Sequence, residues 1–299
     1  MDAIGEATID EAAKRAIADG AEKVNLLLYG DYCCATGFAQ VLGNIARELH
    51  ATGKYNIDVI AINYSGDPMD EAKWPGRVYP AMPGGLMNAG AYGDVYGRQR
   101  LLDLMGSGKY DVVFMLQDTF VIEPIMEEIK KTQDALAGNG MKTFKTVWYY
   151  PVDAQLKKQW VDTVAGADFP VVYTEYGKRE TLKHMPELED RLRVIYHGNN
   201  PSHFFPIQDK EDVKAFRKQY FNGQADDRFL IVNINRNQPR KDIARSLMIL
   251  KELWDRGRRP LLYLHMQYED AGGNIFTIAN QLGLGKEYEF FLPSPKIFN

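Results

Sequence analysis

The feature that most constrains the fold is the alternation of short apolar runs with amphipathic stretches along the chain. Most of the runs are continuously apolar, as expected of strands that are covered on both faces. Between them, apolar residues recur at helical spacing, for example from Phe38 to Leu49 and from Ile243 to Trp254. This alternation predicts an α/β protein with doubly wound parallel sheets. The predicted strands cover residues 24–29, 57–62, 111–116, 146–150, 170–174, 192–196, 229–234, 261–265 and 288–292.

A change in composition predicts two Rossmann-like domains. Residues 197–206 (HGNNPSHFFP) are rich in turn formers and contain two prolines, and a charged helix is predicted over 209–220. We therefore predict an N-terminal domain over residues 1–206, with six or seven strands, and a C-terminal domain over 207–299, with three. Because a three-stranded parallel sheet is small, we expect the second domain to be incomplete.

Composition excludes several classes of protein. A net charge of −4 gives no basic footprint for bulk nucleic-acid binding. Cys33 and Cys34 are adjacent, so no disulfide framework is expected and a reducing compartment is favoured. The first residues lack the apolar core of a secretory signal, and no apolar run is long enough to span a bilayer. We expect a cytoplasmic protein, for which a peripheral membrane contact stays open.

The turn between the first strand and the first long helix, residues 30–37 (GDYCCATG), is the first candidate site. Such turns lie at the carboxyl end of the sheet, where doubly wound folds bind ligands. Thr36 and Gly37 can open the helix, whose free N–H groups suit an anion or a sugar hydroxyl. Asp31 and Tyr32, in the same turn, are further candidate site residues. The pattern is not GxGxxG, which disfavours a dinucleotide cofactor. The alternative is a loop that needs glycine only for tight packing.

Other features carry less information. Tyr92, in the Gly-rich segment 83–97, can stack on a sugar ring, although a plain connection explains that segment equally well. Asp118 and Asp153 follow strand ends and can orient hydroxyls or act as bases, or they are helix caps. His197 ends the last strand of the first domain, where a structural or hinge role is common. The GSGK segment at 106–109 lacks the Walker spacing and predicts a helix-ending loop.

The strongest local signal is the segment 233–242 (NINRNQPRKD). A buried strand runs into Arg236, Arg240 and Lys241, and a helix begins near Asp242. Cations gathered between a strand and a helix are suited to neutralise a diphosphate, with Arg as a fork and Lys as a point charge. The alternative is a solvated helix start. No Asp-x-Asp occurs, and His and Cys spacing indicates no metal site.

Together these residues resemble the family 4 (group 1) glycosyltransferases. The chain is similar to a branch with the signature NRNQxRKD between a strand and a helix. The resemblance covers roughly residues 24 to 292. Its landmarks follow the order of the family: 35–38 (ATGF), 149–153 (YYPVD), 167–182 (ADFPVVYTEYGKRETL), 193–207 (RVIYHGNNPSHFFPI) and 235–242 (NRNQPRKD).

The resemblance implies the GT-B fold, in which two Rossmann-like domains face a cleft. It implies transfer of a sugar from a nucleotide-diphosphate sugar to a saccharide, lipid or protein hydroxyl. Transfer would be retaining and metal-independent, with no cofactor besides the co-substrate. The resemblance implies Arg236 and Lys241 as catalytic residues, and Asp153, which follows a strand end, is a further catalytic candidate. The donor-binding candidates are Thr36, Gly37, Asn235, Arg236, Asn237, Lys241 and His197. The candidates for the acceptor side are Asp31, Tyr32, Asp118 and Tyr92.

Some residues depart from the family pattern. Many relatives have a His where Pro151, Val152 and Asp153 stand, and the linker reads Gly-Asn-Asn at 198–200 instead of Gly-Val-Asp. The chain ends before the Glu-containing EGFGLP segment that holds the sugar and ribose of the donor, so we expect a truncated second domain. Two alternatives are open: a sugar-nucleotide epimerase on the same fold, and a non-catalytic binding module or a subunit completed by a partner.

Overall fold

The computed structural model describes residues 22–82, 94–202, 204–221, 223, 225–285 and 290–293. Its contacts divide the chain into two compact units, Met1–Asn199 (unit 1) and Asn200–Asn299 (unit 2). Among the described residues, none of the helices combines the length and apolar character needed to cross a membrane. The predicted site residue Tyr92 lies outside the described residues.

Unit 1 is built on a sheet of seven parallel strands in the order β3-β2-β1-β4-β5-β6-β7. The strand order reverses between β1 and β4, which are hydrogen-bonded neighbours. In doubly wound folds this reversal marks the ligand-binding crevice. The strands are Val24–Asp31 (β1), Tyr55–Ile62 (β2), Arg77–Pro80 (β3), Val112–Leu116 (β4), Lys145–Tyr150 (β5), Phe169–Val172 (β6) and Arg193–Val194 (β7).

Helices cover both faces of this sheet, so alternate residues of β1 join different cores. Leu27 and Tyr29 belong to one buried cluster, and Leu26 and Leu28 belong to the other. This explains why the strand is continuously apolar. The α-helices are Gly37–Ala51 (α1), Arg98–Gly106 (α2), Thr119–Ile122 (α3), Met126–Gly138 (α4) and Glu175–Leu182 (α5). Short 3-10 turns cover Glu123–Ile125, Lys158–Trp160, Val164–Gly166 and Pro186–Leu188.

Unit 2 has a smaller parallel sheet in the order β12-β9-β8 and a separate antiparallel hairpin, β10-β11. One face of the sheet packs on α7 and α8, and aromatic residues near the end of α6 cover part of the other face. The strands are Leu230–Ile234 (β8), Leu261–His265 (β9), Glu269–Asp270 (β10), Gly273–Asn274 (β11) and Phe290–Phe291 (β12). The helices are Lys210–Tyr220 (α6), Ile243–Asp255 (α7) and Ile275–Gln281 (α8), with a 3-10 turn at Pro239–Lys241.

The predicted α/β class with parallel sheets is confirmed, and the differences from the predicted elements are local. Strand β3 was not predicted, because it is short, half-exposed and ends in a proline, all of which weaken a strand signal. Strand β7 covers only two residues of the predicted segment 192–196. The segment 106–109 does end a helix, and Lys109 Nζ pairs with Asp58 at 2.5 Å.

A glycine determines how closely β1 and β4 approach. A Cβ at Gly30 would lie 2.6 Å from the carbonyl oxygen of Leu116 and 3.1 Å from the side chain of Leu42. A backbone carbonyl in a paired strand cannot move away without breaking the ladder. Glycine is therefore required here for space.

We predict that Gly30→Ala lowers the free energy of unfolding by about 1–3 kcal/mol, because the added methyl overpacks the sheet. Gly138→Ala is the matched control, since a Cβ at Gly138 meets no atom within 4 Å and alanine favours the helix. Urea unfolding of both variants measures the difference. Equal stability of the two variants would contradict the close approach.

A half-buried carboxylate ties β5 to the start of β6. Asp168 accepts hydrogen bonds from Thr146 N and Oγ1 at 2.9 Å each, from Lys145 Nζ at 3.0 Å and from Gln133 Nε2 at 3.1 Å. Burial alone would raise the pKa of Asp168, but these bonds outweigh it and lower the pKa to about 2. The folded state therefore favours the charged carboxylate.

The lowered pKa sets a pH window for stability. Below its unfolded value near 4 the carboxyl takes up a proton more readily in the unfolded chain, so its contribution is present above about pH 4 and is lost toward pH 2. We expect Asp168→Asn to cost about 1–2 kcal/mol at pH 6, after allowance for solvent screening, and progressively less below pH 4. Unfolding curves at several pH values test this. Asp162→Asn, which removes an exposed carboxylate 3.7 Å from Lys158, should show little change.

Candidate functional site

Polar side chains of unit 1 meet where β1 and β4 end, at the reversal of strand order. Asp31 is 5% exposed, and its carboxylate accepts hydrogen bonds from Thr36 Oγ1 at 2.7 Å and from Gln117 Nε2 at 3.1 Å. The amide oxygen of Gln117 in turn accepts from the N–H of Asp118 at 2.9 Å. The sheet therefore brings together two of the predicted acceptor-side residues, Asp31 and Asp118.

The first helix begins beside this cluster, as the sequence predicted. Thr36 is its N-cap and accepts from the N–H of Ala39 at 3.1 Å. A Cβ at Gly37 would meet no atom within 4 Å, so there is open space beside the first residue of α1. An anion or a hydroxyl can approach the free N–H groups of this helix end.

The surroundings of Tyr32 and of the two cysteines in the same turn indicate structural roles. Tyr32 is fully buried, donates to the carbonyl of Pro75 at 2.8 Å and packs edge-on against Trp74. This position does not favour the predicted acceptor role of Tyr32. Burial raises the pKa of the Cys33 thiol to about 12 and also raises the pKa of Cys34, so neither thiol is activated as a nucleophile.

Asp153 and Asp118 differ in their surroundings. Asp153 is exposed in the segment that follows β5, and within the described part of the chain it forms no hydrogen bond or ion pair. Asp118 is half-buried at the residue before α3, and its side chain makes no capping hydrogen bond to that helix. The alternative explanation of Asp118 as an ordinary helix cap is therefore not supported.

His197 lies against two tyrosines near the end of unit 1. The hydroxyl of Tyr149 donates to the carbonyl of Ile195 at 2.7 Å, so it accepts from His197 Nδ1, 2.9 Å away. In the neutral ring the proton is therefore on Nδ1. The ring of Tyr173 packs 4.0 Å away, and partial burial lowers the pKa of His197. The ring also lines a cavity of about 130 Å³ beside Asn44.

In unit 2, Arg236 follows β8 and meets a carboxylate that is distant in sequence. Its Nε lies 2.8 Å from Asp270 Oδ2, and its Nη2 lies 3.4 Å from Oδ1. The Arg236 side chain is 68% exposed, so the guanidinium remains accessible to a ligand. The pair raises the pKa of Arg236 and lowers the pKa of Asp270.

Asn237 holds the hairpin that carries Asp270. It is 1% exposed, and its Nδ2 donates to the carbonyl of Gly273 at 2.8 Å, while its own carbonyl accepts from the N–H of Gly272 at 3.0 Å. A Cβ at Gly272 would lie 2.3 Å from Asn237 Oδ1. The predicted donor-binding residue Asn237 thus fixes the β10-β11 hairpin against the end of β8.

Asn235 takes part in a chain of hydrogen bonds that joins β8 to α7. Its Nδ2 donates to Asn233 Oδ1 at 2.6 Å, and Asn233 Nδ2 donates to Ser246 Oγ on α7 at 2.9 Å. The end of β8 is therefore tied to the start of α7, which brings Arg236 and the residues before α7 into one rigid turn.

Lys241 closes the 3-10 turn in front of α7. Within the described residues its Nζ forms no hydrogen bond or ion pair, and its side chain is only half-exposed. Asp242, the N-cap residue, has a φ of 47° and makes no capping bond through its side chain. A helix N-terminus without a side-chain cap, next to a lysine without a counter-ion, is suited to bind an anion.

Sequence reasoning missed three residues that shape these sites. Asp270 is 34 residues from Arg236, Gln117 is 86 residues from Asp31, and Tyr149 is 48 residues from His197. Gln117 and Tyr149 lie just after or on predicted strands, whereas Asp270 lies in a hairpin that the sequence pattern did not predict. Across the described ranges, no three His, Cys, Asp or Glu side chains are placed so that they could hold a metal ion.

Comparison with solved structures identifies the class of fold. The chain is similar to a glycosyltransferase from Rickettsia africae, with a TM-score of 0.58, 13% identity, and coverage of 93% of this chain and 70% of that one. It is similar to HepE from Anabaena in complex with UDP and glucose (TM-score 0.53, 12% identity, coverage 92% and 71%). It is also similar to the catalytic domain of starch synthase IV from Arabidopsis thaliana bound to ADP and acarbose (TM-score 0.54, 13% identity, coverage 92% and 75%).

These similarities show that the chain has the GT-B fold, as predicted. No protein-family model matches the sequence, and no curated protein sequence matches it. At such low identity the structural likeness establishes the fold alone.

Proposed function

We propose that this protein is a glycosyltransferase of the family 4 type. It transfers a sugar from a nucleotide-diphosphate sugar to a hydroxyl of the acceptor, with retention of configuration and without a metal ion. The observation that carries the proposal is the position of Arg236 and Lys241, which lie at the carboxyl end of β8 and directly before α7 in a chain with the GT-B fold. Two similar proteins were solved with UDP and with ADP, which supports a nucleoside diphosphate as the leaving group.

The chemistry of the transfer requires positive charge at the diphosphate. The bond between the anomeric carbon and the diphosphate oxygen breaks, and negative charge develops on the departing nucleotide. A new bond forms from the anomeric carbon to the acceptor oxygen, which loses its proton. Arg236 supplies a planar guanidinium with several donors, and Lys241 supplies a compact positive charge. The start of α7 supplies free N–H groups to the diphosphate. Asn235 and Asn237 flank Arg236, and their hydrogen bonds to Asn233 and to the carbonyl of Gly273 fix the backbone on both sides of it.

Unit 1 supplies the candidates for the acceptor. Asp31 and Asp118 lie at the carboxyl ends of β1 and β4, where their oxygens can orient a hydroxyl. The exposed carboxylate of Asp153 is a further candidate for proton removal. The open space beside Gly37, the first residue of α1, suits a donor phosphate or the transferred sugar, and His197 is the remaining donor-side candidate. The two thiols, which form no disulfide, are compatible with the cytoplasmic location that we propose.

We predict that Arg236→Ala or Lys241→Ala weakens binding of a nucleoside diphosphate about 10-fold or more but leaves binding of the free nucleoside nearly unchanged. The loss of one charge-assisted hydrogen bond, worth about 1.5–3 kcal/mol, accounts for this difference. Calorimetric titration with UDP, ADP and the matching nucleosides measures it. Arg256→Ala is the control, because it removes an exposed cation at the opposite end of α7. Equal losses for both ligands would argue against the diphosphate role.

Turnover distinguishes the proposal from its alternatives. Release of nucleoside diphosphate that depends on a hydroxyl acceptor supports a transferase. Binding of the nucleotide-sugar without turnover favours a binding module, and conversion of the free nucleotide-sugar into an isomer favours an epimerase. Lys241→Ala should abolish the release of nucleoside diphosphate in the first case.

The ion pair between Arg236 and Asp270 leads to a second prediction. A diphosphate that binds Arg236 competes with Asp270, so Asp270→Asn should raise the affinity for a nucleoside diphosphate by about two- to fivefold, the range expected of an exposed ion pair. Glu269→Gln, which neutralises the adjacent exposed carboxylate, is the matched control for net charge. Equal gains in the two variants would indicate a general charge effect, and a loss in Asp270→Asn would show that Asp270 positions Arg236 for the ligand.

A further inference from the structure

A cavity of unit 2 lies at the amino ends of β8 and β9. Its volume is about 530 Å³, and it is lined by residues 227–229, Leu253 and residues 258–260. This volume is within the range of small-molecule sites in proteins. Because β8 begins at Leu230 and β9 at Leu261, the cavity lies at the end of the sheet opposite to Arg236. The five residues of β8 span about 15 Å, so this cavity is separate from the proposed donor site.

Two arginines of the cavity are held against one tryptophan. The Nε of Arg228 donates to the carbonyl of Arg259 at 2.9 Å, and its Nη2 donates to the carbonyl of Pro260 at 3.0 Å. The guanidinium groups of Arg228 and Arg259 lie 5.5 Å and 4.5 Å from the ring centroid of Trp254. Trp254 is itself buried, and its Nε1 donates to the carbonyl of Pro260 at 3.0 Å. The buried ring therefore restricts the positions of both guanidinium groups.

The third arginine follows the end of α7, where hydrogen bonds fix the backbone. Gly257 has a φ of 76°, and its N–H donates to the carbonyl of Trp254 at 2.9 Å. The N–H of Arg258 donates to the carbonyl of Leu253 at 2.9 Å, which completes the Schellman motif that closes the helix. Arg258 and Arg259 are exposed, and within the described part of the chain their side chains form no hydrogen bond or ion pair. Two positive charges are therefore available to a ligand.

Two further residues of the lining are an exposed phenylalanine and an aspartate. Phe229 is 77% exposed, more than any other large apolar side chain among the described residues. The attraction of cations to a helix C-terminus accounts for the arginines, but it gives no reason for an exposed aromatic ring beside them. Such a ring offers a face on which a flat ring can stack. Asp227 is exposed, and across the described ranges its carboxylate forms no hydrogen bond or ion pair, so its oxygens can accept from a ligand.

We propose that this cavity binds a nucleoside monophosphate at a site separate from the donor site. Arg258 and Arg259 bind the phosphate, whose charge of about −2 near pH 7 matches two guanidinium groups. Phe229 stacks on the base, and Asp227 accepts from a ribose hydroxyl or from an amino group of the base. An oxyanion, a flat ring and a hydrogen-bond donor occur together in a nucleotide, and the cavity offers a partner to each of them. These residues lie at the amino end of β8, so the site is independent of the proposed glycosyltransferase activity.

Calorimetric titration with AMP and with UMP is the first test. The 299-residue chain with Arg236→Ala and Lys241→Ala serves as the background, so that the proposed donor site contributes little to the measured binding. In this background AMP or UMP should bind, and addition of Arg258→Gln should weaken that binding about tenfold or more, because a charge-assisted hydrogen bond is lost. Arg256→Gln is the matched control and should leave the affinity unchanged, since Arg256 is exposed at the same helix end but pairs with Glu252 at 2.6 Å.

Two further variants separate recognition of the nucleotide from a general attraction between charges. Asp227→Ala should weaken the binding of AMP or UMP and strengthen the binding of inorganic phosphate, since it removes an acceptor and a negative charge together. Phe229→Leu should weaken nucleotide binding about fivefold or more and leave phosphate binding unchanged, because it removes the flat ring but keeps an apolar side chain. Phe216→Leu is its control, since Phe216 is an exposed phenylalanine of α6 outside the cavity. Equal gains for both ligands in Asp227→Ala would show a charge effect alone and would overturn the nucleotide assignment.

The possible outcomes distinguish this site from the donor site and from a membrane contact. The proposed site is overturned if AMP and UMP do not bind in the background, or if Arg258→Gln does not change their binding. Binding of UDP to the wild-type chain in either case would leave the proposed function intact without the second site. If Arg258 is needed for AMP or UMP binding but Lys241→Ala has no effect on UDP binding, the second site stands and the proposed donor site fails. If neither nucleotide binds, but the chain sediments with phosphatidylglycerol vesicles only when Phe229 and Arg258 are present, the surface contacts membranes and the nucleotide proposal fails.

Discussion

The pairing of β1 with β4 determines where unit 1 can bind a ligand. These strands are neighbours although they are separated in sequence by two other strands, and the chain runs in opposite directions across the sheet from this point. Gly30 allows the close approach, because its missing side chain leaves room for the carbonyl of Leu116. The polar residues that follow both strands, Asp31 and Gln117, then meet at hydrogen-bond distance. A looser pairing would separate the carboxylates from the donors that keep them in place.

In unit 2 the elements that carry the candidate site residues follow one another in the sequence. The end of β8, the 3-10 turn and the start of α7 are continuous in sequence, and side-chain amides join them. Asn235 hydrogen-bonds to Asn233 on the same strand, and Asn237 hydrogen-bonds to the hairpin, so Arg236, which lies between them, has a defined backbone position. Rigid placement matters for charge stabilisation, since a fixed charge requires no reorganisation when negative charge develops.

Sequence reasoning succeeded where the signal was local. The helix over 243–255 was expected from apolar residues at helical spacing, and its buried residues are those same ones. Thr36 was expected to open α1, because a hydroxyl before a helix satisfies a free N–H group, and it does so. Contacts between residues that are distant in sequence could not be predicted in this way. The guanidinium of Arg236 has a counter-ion in Asp270, so the net positive charge of the cation cluster is smaller than the sequence implied. The short edge strand β3 gave no pattern of its own, since it forms by pairing with β2.

The contact between Arg236 and Asp270 couples ligand binding to protons. The guanidinium and the N–H of Ala271 hold the pKa of Asp270 below its ordinary value. A ligand that takes Arg236 away removes the larger of these influences, so the pKa of Asp270 rises again toward its ordinary value. At a pH between the two pKa values, binding would be accompanied by proton uptake at Asp270, and acidity would favour binding through this group. Because the buffer supplies the proton that Asp270 takes up, the measured heat of association would depend on the ionisation enthalpy of the buffer.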